Sequence, residues 1–434
     1  MLETLRGLDR AGHRSWVVGG TVRDLLLGRT AASAVDVATP ATPQQVMALF
    51  PRVVPTGVEH GTVTVLAGEV KVEITTFRGE GRYLDGRRPS SVTFHTDLEE
   101  DLARRDFTMN ALAWDPLAGE LRDPFQGRAD QRRRLIRAVG DAAARFAEDG
   151  LRPLRALRFV AQLGYSVERA TLAAIPAAAP VVRRVSAERV ADELSKLLVA
   201  PHAARALRLL RDTGLLGVLL PPLAPLAPQV VAHAVEVAAS LAGRSLGTGG
   251  RAPRPDLGVL RLAALLHVVP ADEAAQAISA LRLPGRTAAE VSALLAEPPC
   301  LRAGPPLALP EGPGAVRRWL AATTPELAAA LLALWEADAR HLGRRSRAAA
   351  AALRRLRASA ARVLRGRPPL STADLALDGR SVMDLLGLPP GPEVGEALRH
   401  LLDLVLDDPR RNRRPALEQA LRAWRAGRGI APGA

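Results

Sequence analysis

Two glycines, an arginine and a lone strand aspartate near the N-terminus carry the first chemical signal in this chain. The stretch WVVGGTVRDLLLG places Gly19 and Gly20 between a short apolar run and a helical pattern. Missing side chains let an anionic group approach the backbone there, and the start of a helix adds partial positive charge. Arg23 can reach a phosphate, and Asp24 can hold the loop or an arginine in place. A Gly pair before a helix is also, more simply, a turn. The next strand, AVDVAT, carries Asp36, a carboxylate suited to Mg²⁺ that bridges a triphosphate. Its same-face neighbours, two residues to either side, are Ala34 and Ala38, so the strand offers a single carboxylate. Glu73, on a strand pair further along, is a candidate to face the same cleft. Its other reading is an exposed strand residue beside Lys71.

Two later segments extend this chemistry. DLARRDFTMNALAWD packs Arg104, Arg105, Asp106, Thr108 and Asn110 between Phe107, Met109, Leu112 and Trp114. That interleaving predicts one buried face and one polar face lining a cleft. Asp106 can fix an arginine, and Asn110 can hydrogen-bond a sugar or base. EDGLRPLRALRFVAQLGY, residues 148–165, reads as one helix with Asp149 and Arg152 three apart on one face. Arg155 and Arg158 continue the stripe, while Leu154, Leu157, Val160 and Ala161 form an apolar face. A carboxylate beside a guanidinium can read a base edge, and the further arginines can clamp a triphosphate. A surface ladder of ion pairs is the plain alternative.

These residues need a scaffold, and the patterning supplies an α+β one. Strand signals concentrate in residues 1–140: SWVVGG, AVDVAT, and GTVTVLAGEVKVEITTF as two strands joined at Gly68. TPQQVMALF between them is helical, with Thr42 as N-cap, Pro43 at the first position and Gln45 closing a capping box. From about residue 141 onward Leu/Ala/Arg patterns at helical spacing replace the strands. Pro/Gly-rich breaks at 220–228, 243–255 and 297–314 divide this half, and a small helical unit follows from about residue 368. No fixed-period repeat appears.

The chain has 434 residues, 48% of them apolar, enough for several domains. Its formal charge is +14, and Lys71 and Lys196 are its only lysines among 59 basic residues. A GC-rich genome explains arginine in place of lysine, but not the net excess, which points to a polyanion such as nucleic acid. Cys300 is the only cysteine, so no intramolecular disulfide and no thiolate zinc site are expected. The N-terminal stretch lacks a signal-peptide core, and no run approaches the roughly 18 apolar residues of a membrane span. The expectation is a cytoplasmic protein without a membrane partner.

Together the segments resemble the class II tRNA nucleotidyltransferase and bacterial poly(A) polymerase family. The matching pieces are GGTVRDLLLG, VDVAT, VEITTFR, RRDFTMNALAWDPLAG, EDGLRPLRALRFVAQLGY and VSAERVADEL, in the family's order. The resemblance implies a polymerase-β-like nucleotidyltransferase head over 1–140 and a neck with the base-reading helix over 141–200. A helical body over 201–367 and a helical, tRNA-binding tail over 368–434 would follow. It implies Mg²⁺-dependent, template-independent addition of C and A from CTP and ATP to the tRNA 3′ end, releasing pyrophosphate. Asp36 would be metal ligand and, with Glu73, catalytic. Gly19, Gly20, Arg23, Asp24, Arg105, Asp106, Asn110, Asp149, Arg152, Arg155 and Arg158 would bind nucleotide, with Asp149 and Arg152 as an amino-acid template. The far segment 370–412 looks like the tail of CCA-adding enzymes rather than the long basic C-terminus of the poly(A) branch. The loop RGEGRYLDGRRPSSVTFHTD, 78–97, has the family's full length, which favours complete CCA over CC-only or A-only addition.

Two departures accompany the resemblance. The family pattern Asp-x-Asp reads Ala34-Val35-Asp36 here, and no carboxylate lies between Asp24 and Asp36 to repair it. Three readings follow: a family enzyme impaired at Ala34, a working enzyme that recruits Glu73, Asp106 or water, and a catalytically silent tRNA-binding protein. LAALLHVV, 262–269, resembles a metal-dependent phosphohydrolase element, but Val268 follows His267 where an Asp would stand. That hydrolase activity is not expected, and His267 reads as a core or surface histidine.

Overall fold

Alternation of inward and outward side chains builds the sheet that carries Asp36. The structure is a computed structural model that describes residues 1–29, 34–80, 92–94, 97–241, 255–296, 309–342 and 346–427. Most of the loop 78–97, much of the breaks at 243–255 and 297–314, and Cys300 lie outside the described residues. The strands are β1 Trp16–Val18, β2 Ala34–Thr39, β3 Val53–Gly57, β4 Thr62–Ala67, β5 Val70–Thr76, β6 Arg78–Glu80, β7 Val92–Phe94, β8 Ala113–Asp115, β9 Glu120–Arg122, β10 Leu135–Ile136 and β11 Ser166–Val167. Among the described residues, seven form one mixed sheet in the order β3-β4-β5-β2-β1-β8-β9. β2 and β5 run parallel, with Asp36 opposite Glu73 and Ala34 opposite Lys71. The β4–β5 pair is antiparallel, turning through Gly68 at φ +66°.

Each face of the sheet is sealed by its own apolar cluster. Val17, Val35, Val37, Val72 and Ile74 pack with Leu5, Leu8 and Val46 from the flanking helices Leu2–Arg10 and Pro43–Leu49. Thr42 caps the second of these in a complete capping box with Gln45, as its sequence predicts. On the other face Trp16, Val18, Ala38 and Phe77 pack with Leu102, Ala111 and Val139. Asp36 shares this second face with Ala38 but lies toward the strand's open end, where it is exposed.

The chain divides into two compact units, one of Met1–Leu226 with Ala280–Arg282 and one of Ala227–Ser279 with Leu283–Ala434. The first holds the sheet and the helices that follow it. Strands do not end at about residue 141, however: β11 pairs in parallel with β10 beyond that point. Two residues are too short for a periodic signal. The second unit is helical among its described residues. Its C-terminal part has its own core of Leu377, Val382, Leu386, Leu401, Val405, Leu417 and Leu421. No described helix is long and apolar enough to cross a membrane.

Candidate active site

A cleft of about 410 Å³ in the first unit gathers residues from four sequence segments. Gly19 and Gly20 enter from the β1 turn, Asp36 from β2, Arg104, Arg105, Asp106 and Asn110 from the segment before β8, and Asp149, Arg152, Arg155, Arg158 and Phe159 from the later helices. The volume suits a nucleotide-sized ligand. Gly19 is favoured by its backbone, and a side chain there would also push on the tip of Arg105. Its φ is +70°, and a Cβ there would stand 2.8 Å from Arg105 Nη1. The helix Gly20–Leu26 begins directly after it.

Buried ion pairs fix the arginines around this cleft. Arg23 donates to both oxygens of Asp24 at 2.9 Å and to Asn110 Oδ1 at 2.8 Å. Asn110 Nδ2 in turn donates to Asp106 Oδ1 at 3.0 Å. Arg155 grips the other Asp106 oxygen with Nε at 2.8 Å and Nη2 at 2.6 Å. Burial opposes ionisation of Asp106, but Arg155, Asn110 and the Phe107 N–H outweigh it and hold the pKa at about 2. Glu193, nearly buried, accepts from Arg155 and Arg158. Asp101, also buried, accepts from Arg104 and Arg105. Arg23, Arg155 and Arg158 crowd the Phe159 ring, with guanidinium carbons 5.1, 5.6 and 4.0 Å from its centroid. These arginines are held by buried carboxylates and the Phe159 ring and do not form a surface ladder.

The stretch 148–165 is not one helix. The helices Ala142–Glu148 and Arg152–Leu163 are separated at Asp149, whose backbone is extended at φ −136° and ψ 109°. Gly150 sits so close to the next segment that a Cβ would meet Val181 O at 2.5 Å, and Pro153 starts the new helix. Asp149 and Arg152 therefore do not share a helical face. Asp149 accepts from Leu151 N at 3.0 Å and from Arg189 Nη2 at 2.9 Å. Arg152 donates to Glu148 at 2.5 Å and to the Arg145 and Arg104 carbonyls at 2.8 Å. Both residues still line the cleft. Leu154, Leu157, Val160 and Ala161 are fully buried and anchor the helix.

Asp24 and Glu73 are the two expected site residues that do not line the cleft itself. Asp24 acts through Arg23. Glu73 is exposed beside Asp36, in register on the neighbouring strand. Partial desolvation raises the Asp36 pKa, opposed by Arg105. The donor set Asp36 and Glu73 is all carboxylate oxygen, which fits a hard divalent cation, while Ala34 contributes no ligand. Sequence reasoning assigned no role to Asp101, Glu148, Glu193, Arg189 or Phe159. Arg189 and Glu193 lie at i, i+4 spacing in VSAERVADEL, but spacing does not reveal which acidic residue is buried.

Residues 15–137 match the family model described as the poly A polymerase head domain, and residues 164–226 one described as a probable RNA and SrmB- binding site of polymerase A. The CCA-adding enzyme of Geobacillus thermodenitrificans is 40% identical over 92% of this chain and 90% of its own length. The chain belongs to the CCA-adding enzyme family. The Geobacillus stearothermophilus CCA-adding enzyme is 44% identical over 68% of this chain and 69% of its own. A solved structure of the Bacillus stearothermophilus CCA-adding enzyme in complex with CTP aligns with a TM-score of 0.72 and 34% identity, covering 98% of this chain and 97% of that one. The polymerase-β-like head followed by helices is thus the fold of the CCA-adding enzyme family, and its members are nucleotidyltransferases that use a divalent metal.

Proposed function

We propose that this chain adds C and A from CTP and ATP to the 3′ end of tRNA in the cytoplasm, at a rate limited by Ala34. The observation that carries the proposal is the convergence of the Gly19–Gly20 turn, the Arg105–Asn110 segment and the Arg152–Arg158 stripe on one nucleotide-sized cleft. Arg23, Arg155 and Arg158 are held on Asp24, Asp106 and Glu193, so their remaining donors are pre-aimed at phosphate oxygens without reorganisation. Asp149 and Arg152 present an acceptor and donors to a base edge, which is the basis for choosing C and A without a nucleic-acid template. Asp36 with Glu73 would hold Mg²⁺. Bound there, the ion would neutralise the triphosphate and lower the pKa of the attacking hydroxyl.

Ala34 removes one oxygen ligand, a loss on the order of 10²–10³ in rate. The same substitution favours a second reading, a tRNA-binding protein that binds nucleotide without efficient transfer. The head, neck, body and tail divisions, with tRNA held by the body and tail, complete the proposal. Titration calorimetry with CTP and ATP separates it from a scaffold role. Binding at millimolar nucleotide or tighter, lost in Arg155→Ala, is expected. Absence of triphosphate binding to the folded chain removes the proposal.

A further inference from the structure

We propose that the helical second unit carries a pocket for a phosphoryl group, lined by Arg317, Arg362 and Arg367, that shares no residue with the nucleotide cleft. The cavity measures about 550 Å³, within the range of small-ligand sites. Its walls come from three places: the start of the helix Gly312–Thr323, the end of the helix Arg347–Arg365 with residues 366–369 after it, and the turn that holds Pro409 and Asn412. All of them belong to the second unit. The helix Gly312–Thr323 packs on both Arg347–Arg365 and Pro392–Asp407, which brings the three places together.

Charge sets the chemistry of this pocket. Three guanidiniums line it and no carboxylate does. The adjoining acidic residues are already engaged: Asp407 accepts from Arg318, and Asp408 Oδ1 accepts from the Arg410 N–H at 3.0 Å. Arg317 is held in place, with Nε donating to the Leu406 carbonyl at 2.5 Å and Nη2 to the Asp407 carbonyl at 2.6 Å, which leaves Nη1 uncommitted. Arg362 and Arg367 are exposed, and among the described residues neither side chain has a hydrogen-bond or ion-pair partner. Gathering three cations in one concavity costs repulsion that a bound anion removes. A carboxylate offers two oxygens, enough for one forked guanidinium. A tetrahedral phosphoryl group offers three, which matches three arginines arriving from separate segments.

The surroundings agree. Arg367 has φ +47°, a left-handed conformation that favours glycine, while Gly366 before it has an ordinary φ of −73°. A cationic side chain therefore stands where its own backbone is mildly strained. Pro313, Pro368, Pro369 and Pro409 build the rest of the wall and carry no N–H, so the arginines supply the donors. Asn412 is occupied elsewhere, accepting from Ala376 N at 2.8 Å and donating to the Asp374 carbonyl at 2.9 Å. A free polyphosphate and the backbone of an RNA strand both present phosphoryl oxygens, and the two arms of the test separate them.

The test compares the full chain with the double variant Arg362→Ala/Arg367→Gly, which keeps the helix and suits the backbone at residue 367. The nucleotide cleft is common to both proteins, so its contribution cancels. In one arm inorganic pyrophosphate is titrated calorimetrically, and in the other a short labelled RNA duplex is titrated by anisotropy over a range of salt. A free-phosphate ligand predicts pyrophosphate binding at least about 10-fold weaker in the variant, with the duplex salt slope unchanged. An RNA-backbone ligand predicts a log–log salt slope shallower by about one to two in the variant. Arg362→Gln alone, at an exposed helix position, should give part of the same loss. Arg354→Ala/Arg355→Ala removes equal charge from exposed positions of the same helix and should change neither readout. Equal pyrophosphate affinity and equal salt slope with and without Arg362 and Arg367, both proteins being folded by circular dichroism, overturn the proposal. An equal loss from Arg354→Ala/Arg355→Ala also overturns it, since general charge would then suffice.

Discussion

Asp36 and Glu73 stand side by side on parallel strands, and Ala34 stands beside Lys71 on the same face. Ala34→Asp would therefore place a second carboxylate in line with Asp36, next to an ammonium that keeps it ionised. The expected outcome is a gain of at least about 10²-fold in Mg²⁺-dependent nucleotide addition, measured as single-turnover extension of truncated tRNA. Ala34→Asn, similar in size and uncharged, should gain far less. Glu73→Gln should lower whatever activity the unmodified chain has, and an unchanged rate would remove Glu73 from the metal site. Asp106 gives a prediction of a different kind. Its folded pKa is depressed from 3.8 to about 2, so its stabilisation is present above the unfolded value and is lost as pH falls through the folded one. Asp106→Asn should thus cost roughly 2 kcal/mol at neutral pH, and chemical denaturation should show that difference shrinking toward pH 2. A difference that stays constant would mean the Asp106–Arg155 pair does not carry it.

The elements around the cleft were legible to different degrees. The β2 alternation, the Thr42 capping box and the Gly68 turn are local patterns and read directly. The break at Asp149 did not, because its causes are a backbone approach at Gly150 and an Asp149 side chain that accepts from Leu151 N, neither visible as periodicity. For the same reason the sequence overstated how closely Asp149 and Arg152 are coupled: they line one cleft but bond to different partners. The base-choice prediction survives that change. On an Ala34→Asp background, Arg152→Ala should relax discrimination against UTP and GTP, read from competing incorporation. It should also lower stability, since three hydrogen bonds go with it. Leu157→Ala, at a fully buried position on the same helix, should cost about 2–5 kcal/mol and weaken CTP binding by displacing the arginine stripe. Retained CTP affinity in that variant would show that the stripe does not depend on the helix's packing.

For the whole molecule, the change from a mixed sheet to helices was legible from the exhaustion of strand patterns. The through-space partners were not. Asp338 with His233 and His267, and Glu193 with Arg158, are joined by packing between segments that carry no mark of each other in sequence. The +14 charge predicts tRNA binding with a steep salt dependence, each lost phosphate contact reducing the log–log slope by about one. Removing the chain from residue 368 should weaken tRNA binding and spare nucleotide binding, and equal affinity for unstructured poly(A) and tRNA would count against a tRNA-specific tail. The most direct measurement follows labelled CTP and ATP onto tRNAs that end before, within and after the CC sequence, with the unmodified chain and Ala34→Asp side by side. The proposed function predicts that Ala34→Asp adds C, C and A in order and then stops, while the unmodified chain lags by at least about 10²-fold. Silence from Ala34→Asp, with nucleotide and tRNA both bound, or unordered runs of A, would contradict it.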